Sequence, residues 1–129
     1  MAIRFSVSVK GDLLTVKAAG VDDSLEDVQG YGKAIVEACH AAGCVRVLCD
    51  ETDLEYRLGT MDTFESAAFI AEYAPHVARV AIVCGPDQFA DASFWETVAV
   101  NRGLSVRAFE DVAAAEDWLR RQVGGERPK

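Results

Sequence analysis

The chain has no apolar run near the roughly 20 residues that cross a bilayer, and its opening "MAIRFSVSVK" has no long apolar region behind a basic one. The expectation is a cytoplasmic protein without a membrane span. Positive charge is scarce, since 13 Lys and Arg face 21 Asp and Glu, for a net charge of -8 and a pI near 4.7. That balance repels polyphosphate backbones and argues against a nucleic-acid partner. Cys39, Cys44, Cys49 and Cys84 match neither zinc-knuckle spacing nor a redox Cys-x-x-Cys, so they read as reduced, buried thiols. The sequence contains no Gly-x-Ser-x-Gly, no Gly-rich phosphate loop and no His-x-x-x-His. Its two histidines have structural explanations: His40 ends a helix, where a cation is favourable, and His76 follows Pro75 in a turn. We expect no catalytic residue, no metal and no cofactor.

What is present suffices for a core. Half of the 129 residues are apolar and the mean hydropathy is +0.07, which suits one globular domain over residues 1–123 with a flexible tail over 124–129. "IRFSVSVK" alternates as a half-buried strand and turns through "KGDL" into "LLTVKAAG", forming a hairpin. Ser24 precedes a helical stripe that ends at Ala42, with Gly43 as left-handed terminator. "VRVLCD" is a short β-branched strand, and a second helix starts near Asp62, with Glu65 in capping-box spacing and Pro75 as its stop. "ARVAIVC" is a strand, "GPDQ" opens a third helix ended by Gly103, "LSVRAF" is the last strand, and Asp111 caps a final helix to about Gln122. The order ββαβαβαβα, with helix-length crossovers, predicts an α/β fold: a mixed, mostly parallel five-stranded sheet with helices packed mainly on one face.

Strand parity separates the two faces. Leu14, Val16, Ala18, Val47, Cys49, Val80, Ile82, Val106 and Ala108 share the apolar parity, and the other parity carries Lys17, Arg46, Arg79 and Arg107. A parallel sheet covered on both sides would be apolar on both, so the second face is expected to be partly covered. Arg46, Arg79 and Arg107 on it are candidate anion-binding residues.

The hairpin followed by three βα units, the Asp closing "VRVLCD", the Asp-Thr of the second helix and the ending "NRGLSVRAFEDVAAAEDWL" together resemble the STAS family, in its sporulation stage II AA-like, anti-sigma-factor-antagonist branch. The likeness covers nearly the whole chain. It implies a non-catalytic domain with a regulatory protein partner. It also implies a phosphoacceptor position at Thr63 behind Asp62, although Phe64 and Glu65 replace the small residues that follow in the family's motif.

The segment "VLCDETDLEYRLGTMDTFES" holds six carboxylates: Asp50, Glu51, Asp53, Glu55, Asp62 and Glu65. Acid catalysis needs two carboxylates in unlike environments. Here Leu54, Tyr56 and Leu58 alternate with Asp53, Glu55 and Arg57, so the acids are expected to point to water around a docked extended piece. The second helix is apolar around most of its circumference, which predicts cover beyond its own sheet. One reading makes it an interface to a regulatory partner or to a second copy in a homodimer, with Tyr56, Phe64, Phe69 and Tyr73 as anchors and Asp50 and Asp62 on the rim. The other is a small-molecule site for an apolar, lipid-like or anionic ligand between the second and third helices, lined by Tyr56, Arg57, Phe69 and Trp95.

Overall fold

A computed structural model describes residues 3–74 and 79–121. Pro75, His76 and the predicted tail 124–129 lie outside the described residues. The strands are β1 (Ile3–Lys10), β2 (Leu13–Asp22), β3 (Arg46–Tyr56), β4 (Arg79–Val83) and β5 (Val106–Phe109). The helices are α1 (Leu25–Ala42), α2 (Thr60–Tyr73), α3 (Phe89–Asn101), introduced by a 3-10 turn over Pro86–Gln88, and α4 (Val112–Arg120). No helix among the described residues is long and apolar enough to cross a membrane.

The sheet order is β1-β2-β3-β4-β5, with β1 antiparallel to β2 and every later pair parallel. Each crossover steps to the next strand in the same direction, and right-handed connections then stack α1, α2 and α3 on one face. Under them lies the main core, which includes Leu14, Val16, Val47, Ile70, Val98 and Leu104. Helix α4 follows the last strand and is free of that constraint. It packs on β3 and β4 from the other side, burying Leu48, Ala81 and Val83 against Ala115 and Leu119. The ββαβαβαβα, mostly parallel α/β reading therefore holds, with three helices on one face and one on the other.

Local chemistry explains the boundaries. The Ser24 side chain accepts from Asp27 N at the start of α1, and Gly43 ends it with a φ of 70°. Asp111 caps α4 through bonds from Ala113 N and Ala114 N. Helix α2 departs from expectation: it starts at Thr60 behind an extended Gly59, and no side chain caps it, so the box predicted from Asp62 and Glu65 is not formed. Strand β1 also departs from its half-buried reading. Its alternation is real, but Phe5, Val7 and Val9 are 41%, 44% and 51% exposed, because α1 reaches only the Ile3 end of this edge strand.

Candidate functional site

The acidic segment is mostly strand rather than loop. Strand β3 runs on past Asp50 to Tyr56, and its pairing with β2 skips from Lys17 opposite Asp50 to Ala19 opposite Asp53. Three residues on β3 thus span two on β2, a bulge. Asp50 Oδ1 accepts from both Thr52 N (3.2 Å) and Thr52 Oγ1 (2.6 Å) and pins the irregularity. The extra residue lets Val47, Cys49 and Glu51 face the helices before the bulge, and Leu54 and Tyr56 face them after it. Not all the acids point to water: Glu51 is 7% exposed.

Two buried acids meet beneath the helices. Tyr31 Oη of α1 donates to Glu51 Oε2 at 2.7 Å, and Tyr56 Oη donates to Glu51 Oε1 at 2.6 Å. Burial raises the Glu51 pKa, and the two phenol bonds oppose the rise. Asp22, which ends β2 on the parity of Leu14, Val16 and Ala18, is likewise 7% exposed. Its Oδ1 has no hydrogen-bond partner among the described residues. Burial, then the negative charge of Glu51, pushes the Asp22 carboxyl up to about 7.

Both acids line a cavity of about 110 Å³ between the sheet and helices α1 to α3. Its walls are largely apolar, with Ile35, Ile70 and Leu104 among them, and the rings of Tyr31, Tyr56 and Trp95 also line it. Of its lining residues, Leu58 in the β3–α2 loop is half-buried and Asp91 at the start of α3 is exposed. Gly32 brings α1 close to α2 at this wall, since a Cβ there would fall 2.2 Å from Ile70 Cδ1. Polar ties hold the other walls. Trp95 Nε1 donates to Ser66 Oγ at 2.9 Å, and Ser66 Oγ donates to Thr63 O at 3.0 Å. The Gln88 amide accepts from Tyr56 N (2.7 Å) and donates to Leu54 O (2.6 Å), completing β3 where β4 has already ended.

The residues singled out from sequence fall into separate places. Tyr56, Trp95 and Thr63 line the cavity. Thr63 is buried and its hydroxyl donates to Gly59 O at 2.9 Å, so a kinase reaching that oxygen has first to open the first turn of α2. Asp62 is exposed in that turn, and Phe64 lies half-buried under the Arg102 guanidinium, 5.1 Å from its ring centre. Phe69 stacks on Tyr73 with ring centres 5.9 Å apart, and Tyr73 Oη donates to Glu37. Arg57 is exposed and pairs with Glu55.

Asp50 lies on the opposite face of the sheet, bonded to Lys17 at 3.1 Å. Partial burial would raise its pKa, but the bonds from Thr52 and Lys17 outweigh that and hold it low. Arg46 Nε donates to Leu119 O (2.6 Å) and Arg79 Nη1 to Trp118 O (2.9 Å), so both guanidinium groups satisfy carbonyls at the end of α4. Arg46 also pairs with Asp12, and Arg79 lies over the Trp118 ring. Arg107 is exposed beside Phe109. All four cysteines are buried and free.

Asp22, Tyr31, Glu51 and Ser66 were not singled out from sequence. The signal for the two acids is parity: Asp22 continues the apolar alternation of β2 to its last position, and Glu51 continues that of Val47 and Cys49 in β3.

No family model matches the chain, and neither does any curated protein. Solved structures do. An uncharacterized protein of the DUF3478 family with a SpoIIAA-like fold, from Shewanella loihica PV-4, is 26% identical over 92% of this chain and 94% of that one, with a TM-score of 0.55. An anti-sigma factor antagonist from Mycobacterium paratuberculosis is 14% identical over 92% of this chain and 95% of that one, with a TM-score of 0.65. The resemblance read from the sequence thus extends to the whole architecture, and the chain has the SpoIIAA-like fold.

Proposed function

We propose that the chain is a non-catalytic, STAS-like regulatory domain that binds a protein partner through the start of α2 and the segment before it. The observation that carries this is the exposure of Met61, at 67%, beside the half-buried Phe64 and within a rim of exposed Asp53, Glu55, Asp62 and Glu65. An apolar centre with a charged rim is the usual anatomy of a protein interface. Likeness to an anti-sigma factor antagonist supports the protein-binding mode. A photo-crosslinking residue placed at position 61 in the native host tests it, with exposed position 117 on α4 as control. The expected result is one discrete protein adduct from 61 and none from 117. Equal adducts from both positions, or none from 61, would contradict it.

A second reading, a small-molecule site, is favoured by the cavity under α2, where the buried Asp22 Oδ1 lacks a partner among the described residues. Buried polar groups are ordinarily satisfied, so this oxygen supports an occupant that supplies a donor. Shifts of the Trp95 indole N–H signal on adding a small neutral probe such as 1-butanol would read occupancy. An unmoved signal would count against it.

A further inference from the structure

We propose, building on the reading of the cavity as a small-molecule site, that it binds a small organic cation: a primary ammonium carried on a compact apolar body. Charge comes first. Among the described residues, the charged ones lining the cavity are Asp22, Glu51 and Asp91, all acids, with no Lys, Arg or His. Neither Asp22 nor Glu51 takes part in an ion pair among the described residues. Two carboxyl groups held in an apolar enclosure without a counter-charge are costly, and a bound cation removes that cost for both.

Hydrogen bonding comes second. Each Glu51 oxygen already accepts one phenol, whereas Asp22 Oδ1 accepts no hydrogen bond among the described residues. An ammonium brings three donors and no acceptor, which matches a site short of donors. Tyr31, Tyr56 and Trp95 in the wall are aromatic, the side-chain class that attracts a desolvated cation.

Size and wall chemistry limit the rest of the ligand. A cavity of about 110 Å³ is smaller than the roughly 150 Å³ that admits benzene, so the apolar body holds about four carbons beside the ammonium. A divalent metal fits poorly. Calcium requires six or more oxygen ligands, and no group of three or more metal-ligating side chains is found among the described residues.

The test uses the full chain, labelled with nitrogen-15, titrated at neutral pH with butylammonium, 1-butanol or butyrate, which share one apolar body. The Trp95 indole N–H and backbone signals around residues 22, 31 and 51 report binding. Butylammonium is expected to bind at least about tenfold more tightly than 1-butanol, the gain typical of hydrogen bonds to charged groups. Asp22→Asn and Glu51→Gln should each reduce the preference for butylammonium over 1-butanol, and the dispersion of each variant's backbone spectrum reports that it is folded. If the alcohol or butyrate binds as well as the amine, the small-molecule reading stands and the cation assignment fails. If none of the three binds, both fail.

Discussion

Asp22 and Glu51 differ in how their burial is compensated, and this sets what each should do when changed. Glu51 has two phenol donors and Asp22 Oδ1 has none. Asp22 titrates at about 7 in the fold against an ordinary 3.8, so the folded state holds a proton that the unfolded chain releases. Stability from this group is complete below about pH 4 and is lost as pH rises through about 7. Urea unfolding from acid to neutral pH should therefore show wild type losing stability relative to Asp22→Asn over that window. A constant difference between the two would refute the assignment. Tyr31→Phe should cost about 1 to 3 kcal/mol, since it strips one of two donors from a buried carboxylate, and a lowered urea midpoint would register it.

At the scale of elements, the bulge in β3 and the Gln88 clamp decide where the cavity wall stands. Strand β4 stops at Val83, opposite Asp50, leaving the rest of β3 to pair with a side-chain amide. Gln88→Ala frees two backbone groups and should cost about 1 to 2 kcal/mol, with faster amide exchange confined to residues 54–56. Helix α4 depends on arginine in a comparable way. Arg79→Ala removes a bond to Trp118 O and the stack on its ring, an expected loss of about 1 to 3 kcal/mol in urea unfolding, with 1-butanol and butylammonium binding unchanged.

Element order, caps and the apolar faces were legible in the sequence because they follow from local periodicity. Ser24, Gly43 and Asp111 act where their chemistry places them. The bulge was not legible, since one extra residue in a strand leaves no compositional mark, and without it Leu54 and Tyr56 fall on the face opposite Cys49 and Glu51. The start of α2 was misplaced by two residues because Asp62 and Glu65 form a plausible capping pair, whereas the chain turns at Gly59. The fate of Arg46 and Arg79 depended on α4 reaching back across the sheet, a contact between distant segments that strand parity cannot reveal.

For the whole molecule, one rule produces the arrangement. Strands laid down in sequential order with right-handed crossovers put three helices on one face, and the cavity lies between them and the sheet. The surface formed by the start of α2 lies directly outside that enclosure, with Thr63 and Ser66 of α2 in its wall. Protein binding at this surface is read out by native mass spectrometry of protein gently purified from its host. The expected result is a complex whose mass exceeds that of the chain by one discrete protein, a second copy included, and which is absent for Met61→Asp. The free chain alone from wild type, or a complex equally abundant from Met61→Asp, would contradict it.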